Sequence, residues 1–334
     1  MYVRTIVALL VLAFWVALPN AAEAADTSDA LVLEKEIPLD RVSGRIDHLA
    51  VDLKRGHLAV AELGNSTVDV IDLKDGRAIH RIEGLDEPQG IAFVPSADLF
   101  AVASGGDGSV KFFHASDLSA AGDIDLGDDA DNVRVDGKTG HIVVGYGEGA
   151  LAVIDPATRS KLADIALPAH PEGFQLARDG NRAFVNVPDA RQIAAVDLTS
   201  GKQVAMWKTA DLRSNFPMAI DDSGATLAVA FRGPPRLALL DAQTGAITAS
   251  AETCGDSDDV FFDNRRRRIY VSFGEGAVDV FERKDGGLQH VAQVKTSSGA
   301  RTALFVPELD RLFVASRSGL LGNDAKILVF RPSP

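Results

Sequence analysis

Apolar and polar positions alternate along this chain in short runs, and the runs come back with a fixed period. Seven times an acidic or polar pair leads into a mostly apolar run that usually ends in Asp or Pro. The copies are IDHLAVD (46–52), PQGIAFVP (88–95), ADNVRVD (130–136), PEGFQLARD (171–179), FPMAIDD (216–222), SDDVFFD (257–263) and RTALFVP (301–307). Their closing residues, Asp52, Pro95, Asp136, Asp179, Asp222, Asp263 and Pro307, follow one another at steps of 41 to 44 residues. A constant period in this range marks a repeat architecture.

Each copy is followed by the same series of elements. A turn leads to an apolar strand such as HLAVAEL (57–63), TLAVAFR (226–232) or RIYVSFG (268–274). A hairpin bearing Gly, Asn or Asp leads to a second such strand, for example TVDVIDL (67–73) or ALAVIDP (150–156). A turn such as KDG (74–76) or TSG (199–201) precedes a fourth, weaker strand. Short β-branched runs of period two between turn residues are strands. No segment of ten or more residues carries a helical period. Four antiparallel strands in about 42 residues, seven times over, predict an all-β fold: a seven-bladed β-propeller. The last repeat supplies only three strands, and LVLEKEIPL (31–39) is predicted to close it as the fourth. One blade shared by both ends of the repeat array leaves no open edge.

The V-x-V-I-D-x-x-x-G signature in VDVIDLKDG (68–76), with its variants AAVDLTSG (194–201) and LALLDAQTG (237–245), resembles the YVTN-type propellers, which include YncE-like exported proteins. The resemblance covers nearly all of the chain after its leader. It implies the fold and an exported setting, and it does not imply an activity, because such propellers host many. The G-H and W-D signature of WD40 repeats is absent.

The first residues are read apart from the repeats. Arg4, an apolar run over 6–18 and Ala22-Glu23-Ala24 form a cleavable secretory signal, residues 1–24, ahead of a single propeller domain at 25–334. Thirteen apolar residues are too few to span a bilayer. The expected location is periplasmic or secreted. Cys254 is the only cysteine, so no internal disulfide can form. The formal charge of −13 repels phosphates and anionic headgroups, which argues against nucleic acid and membrane partners.

In a propeller the innermost strands line a central channel, and the loops leading into them share one face. The leading pairs of the repeats therefore converge. Asp47, His48, Asp131, Asn132, Glu172, Asn215, Asp258 and Asp259 are the expected inner shell of a ligand site, with Gln89, Arg232 and Arg301 orienting the ligand. Polar residues before a strand also cap backbone groups and form Asx-turns. A purely structural turn could use one residue seven times, whereas here every copy differs. Carboxylates gathered on one axis need a cation or arginines to balance them, and Ca²⁺ prefers oxygen-rich surroundings.

Two glycine-rich stretches, GYGEGA (145–150) and SFGEGA (272–277), mimic a dinucleotide loop but are flanked by strands and read as hairpins. The arginine run at 265–268 reads as a solvated turn on the opposite face. Cys254 has no predicted base beside it. No HExxH, paired CxxC, GxSxG or P-loop is present. The leading expectation is an exported propeller that binds a small polar or anionic ligand, through a divalent cation such as Ca²⁺ or without one, at the acidic mouth of its channel. An alternative resembles the lactonase-type propellers, with Glu172, Asn215 and Asp258 as metal ligands and His48 or His170 as acid–base group. A third is a scaffold for an exported protein partner, for which Phe216, Met218 and Phe273 are the rim candidates.

Overall fold

The protein is described by a computed structural model over residues 30–319 and 324–334; the predicted signal at 1–24 lies outside the described residues. The described residues form seven separate four-stranded antiparallel sheets, each strand paired with the next along the chain. Blades one to six span residues 49–82, 88–125, 133–166, 174–208, 213–252 and 257–295. Blade seven takes Ala303–Val306, Arg311–Ser316 and Lys326–Pro332, and its outermost strand is Leu31–Pro38 from the other end of the chain. Leu31 pairs with Pro332 and Pro38 with Lys326, the closure that the repeat pattern predicts. Leu63–Asn65 is a single 3-10 turn, and no described helix is long and apolar enough to cross a membrane.

The core is divided among the blade interfaces. Among the described residues seven apolar clusters are present, one between each pair of neighbouring blades. An open row of seven sheets would have only six. The seventh packs Ile37, Leu39 and Phe313 of blade seven against Leu58, Val60 and Ile71 of blade one. Each fully buried Leu or Ile contributes about 1.5–3 kcal/mol, so stability is spread around the ring.

The V-x-V-I-D-x-x-x-G signature has a local physical cause. Asp72, Asp197 and Asp241 each accept the backbone N–H of the residue three positions on, at 2.8, 2.7 and 2.7 Å. The chain then turns through Gly76, Gly201 and Gly245 at φ +66°, +66° and +72°, where a side chain is disfavoured. Arginines in the turns between the first and second strands fasten one blade to the next. Arg55 binds Asp52 of its own turn at 2.7 Å and Asp98 of the next blade through two bonds of 2.8 and 2.6 Å. Arg266 does the same with Asp263 at 3.0 Å and Asp310 at 2.7 and 2.8 Å. Arg265, Arg266 and Arg267 thus lie in a turn on the expected face and Arg268 opens the next strand, but only part of the run is solvated. The side chain of Arg265 is 77% exposed, whereas Arg266 is 9% exposed because two carboxylates enclose it. Tyr146 to Ala150 and Phe273 to Ala277 are hairpin turns, as the flanking strands predict.

Candidate functional site

The loops leading into the innermost strands bring seven of the eleven expected site residues to one place. Asp47, His48, Asp131, Asn132, Glu172, Asp258 and Asp259 line a single space together with Arg45 and Arg134. That space measures only about 30 Å³, room for one or two waters. The expected acidic mouth is therefore a tight polar cap. Its size follows from internal pairing. Arg45 lies 2.7 Å from Asp47. Arg232 donates to Asp258 at 2.6 Å and to the Ser257 carbonyl at 2.9 Å, while its guanidinium covers the Phe216 ring at 3.9 Å. Arg301 bridges Asp256 at 2.8 Å and Asp258 at 2.9 Å.

Four of the eleven residues lie outside that lining. Arg232 and Arg301 act behind it through Asp258. Gln89 reaches Asp129 at 3.4 Å. Asn215 is fully buried, and its amide is spent on Asn186 at 2.9 Å and the Gln192 carbonyl at 3.1 Å. Of the expected metal set, Glu172 and Asp258 line the cap, where two arginines hold Asp258, while Asn215 lies outside it and serves the blade interface. Among the described residues no group of three or more His, Cys, Asp or Glu side chains is placed to hold a metal ion. His48 lies 3.7 Å from Asp47 and 4.0 Å from Asp259, while His170 contacts the Gly147 carbonyl at 2.6 Å and Asp129 at 3.5 Å. Of the apolar rim candidates, Met218 and Phe273 are buried in blade packing.

Acid–base behaviour in the cap follows from burial. Asp131 is pushed up to about 7, first by loss of water and then by Asp47 and Glu172 against the pull of His48. Glu172 rises to about 7 by burial and by Asp258. Burial also lifts Asp259 well above the carboxylate range, although the Ala303 N–H donates to it at 2.8 Å. Asp131 and Glu172 make no ion pair among the described residues, so protons are the available means of neutralising them. The Asn132 amide donates to Asp131 at 3.1 Å, and its own oxygen accepts nothing among the described residues.

Below the cap the channel widens to a cavity of about 720 Å³. It opens on the opposite face, among Asp222, Asn264, Arg265 and Glu308 in the turns that leave the inner strands. His48, Arg134 and Asp259 line both spaces and so form its floor. Strand register sets the next layer: Ala50, Ala92, Arg134, Gln175, Ala219, Phe261 and Leu304 stand at one level of the seven inner strands, and all of them line the cavity. Three alanines clear space. Arg134 and Gln175 make a polar side in blades three and four. Phe261 and Leu304 make an apolar side across the axis in blades six and seven.

Arg134 is the unexpected residue of this layer. Its guanidinium donates to the neighbouring Val133 carbonyl at 2.8 Å and lies 5.6 Å from the Phe174 ring centre, yet it makes no ion pair among the described residues. Burial lowers its pKa, with Asp259 and Asp131 acting against the shift, and an arginine remains charged. Arg45, Arg134 and Gln175 lie outside the leading pairs and so outside the expected site. The available signal was a polar residue inside an apolar inner strand, V-R-V and F-Q-L, where the other repeats carry Ala, Phe or Leu.

No family model matches the chain, and no curated protein matches it. Solved structures do share the fold. One, described as "Crystal Structure of Mitotic Checkpoint Complex", aligns over 98% of this chain and 99% of its own with TM-score 0.78 and 14% identity. Another, "Kuenenia stuttgartiensis Hydrazine Synthase", aligns over 95% and 99% with TM-score 0.76 and 14% identity. At such identity the likeness shows the propeller fold alone.

Proposed function

We propose that this chain is a binding propeller that takes a small anionic ligand in its central channel, against Arg134. One observation carries this reading: Arg134, which makes no ion pair among the described residues, lines a cavity of about 720 Å³ whose walls are mixed polar and apolar. A buried charge without a close ion-pair partner is costly, and a planar anion would match the guanidinium's fork of donors. Cavities of this size with few convergent polar groups are the usual form of ligand sites. Asp47, His48, Asp131, Asn132, Glu172, Asp258 and Asp259 then act as the floor that closes the far end.

Thermal-shift and calorimetric screening of small carboxylates and other anions tests the proposal, with Arg134→Gln as the comparison. Each binder is expected to lose about tenfold or more in affinity in the variant. Undiminished affinity in Arg134→Gln, or no anion that binds at all, would overturn it. Export belongs to the same proposal: the mature protein should begin near Ala25, which N-terminal sequencing of protein from the producing cells reads directly. A partner-binding role is the second reading, favoured by Val204 and Met206, 58% and 50% exposed on the outermost strand of blade four between Lys202 and Lys208.

A further inference from the structure

We infer that the ligand of the channel is a monoanion with a compact apolar body, such as an aromatic or short aliphatic carboxylic acid, which enters by the face opposite the polar cap. The inference rests on the anion reading of Arg134 and goes beyond it to the rest of the molecule bound. A single guanidinium neutralises one charge. A second negative group would lie either beside Asp131 and Asp259, which already act on Arg134, or along the Phe261 and Leu304 side, away from Arg265, the other arginine of the lining, which stands exposed at the mouth. Sulfate, phosphate and dicarboxylates are therefore disfavoured, while a carboxylate fits the planar fork through two parallel bonds.

The apolar part follows from the wall facing Arg134. Phe261 and Leu304 stand at its level across the axis, and Phe93 and Phe305 line the channel one residue nearer the mouth. Ala50, Ala92 and Ala219 keep the middle clear. The Phe261 ring at this level favours a flat body by stacking as well as by burial. The direction of approach follows from the cap, where the space of about 30 Å³ admits only water.

Titration calorimetry on the full chain decides the point. The probes are benzoate, 2-naphthoate and octanoate, each beside its uncharged amide, with sulfate and succinate as compact anions. The hydrophobic acids are expected to bind about tenfold or more tightly than the amides or the compact anions. Arg134→Gln should weaken the acids by a similar factor, and Phe261→Ala should weaken the two aromatic acids most. Arg134→Lys, which keeps the charge but not the fork, serves if Arg134→Gln does not fold, and it too should bind the acids more weakly. If sulfate or succinate bind as well as the acids and need Arg134, the apolar class falls while the anion site stands. If the amides match the acids, or none of these probes binds, the monoanion assignment falls together with its placement at Arg134.

Discussion

Individual charges in the cap set a pH dependence that a surface cluster would not. Unfolding returns Asp131 to its ordinary value near 3.8, whereas in the folded chain it titrates at about 7. Between those pH values the folded state holds a proton that the unfolded chain has released, so stability falls as pH rises across this window and the loss is complete above about 7. Asp131→Asn should match the parent near pH 4 and exceed it above pH 7 by roughly 2–4 kcal/mol, read from denaturant unfolding at both pH values. An unchanged difference between the two pH values would mean that Asp131 is ionised and compensated in the fold. A Ca²⁺ titration with an EDTA control tests the cation expectation separately from protons: a metal role requires a Ca²⁺-dependent rise in melting temperature. At this scale the sequence was only partly legible. The leading pairs placed Asp47, His48, Asp131, Asn132, Glu172, Asp258 and Asp259 together because the repeat alone fixes their position on the ring. It could not show that Asn215 turns its amide into a blade interface, since that depends on Asn186 and Gln192 of another blade. Nor did it separate a tight cap from an open mouth, which depends on how far Arg45, Arg232 and Arg301 reach.

Strands and turns were legible because their rules are local. Period-two runs gave the strands, and Asp with Gly four positions later gave the turn, since one carboxylate satisfies backbone donors that the bend leaves free. What joins one blade to the next was not legible, because the partner of each arginine lies more than forty residues away. Arg266 shows the consequence. The basic run predicts a solvated side chain, yet Arg266 holds Asp263 and Asp310 in adjacent blades, and Tyr270 donates to the same Asp263 at 2.7 Å. Arg266→Ala should leave Asp263, 2% exposed, without its cation. The expected cost is about 2–4 kcal/mol, moderated because Asp310 meets solvent. A double-mutant cycle with Asp310→Ala checks it, and additivity of the two losses would show that the bridge between blades contributes nothing.

At the scale of the whole molecule, the channel and its cap exist only because the ring closes. Every blade interface buries its own apolar cluster, so opening one interface exposes a core as well as a strand edge. The interface most open to test is the one completed by Leu31–Pro38, which is covalently far from the strands it joins. Leu31 and Ile37 are 2% and 1% exposed, and both belong to clusters that also hold residues of neighbouring blades. Deleting residues 31–38 leaves the backbone groups of Lys326–Pro332 unpaired along one side, a template for pairing between chains. The truncated protein should melt at lower temperature and associate, as read by calorimetry and light scattering. A free peptide, LVLEKEIPL, should restore both by adding back as the fourth strand, while the same peptide carrying Asp at the positions of Leu31 and Ile37 should not. Unchanged melting and a monomeric truncated chain would show that six blades and three strands hold the axis by themselves. The wall of the channel would then owe nothing to the N-terminal strand.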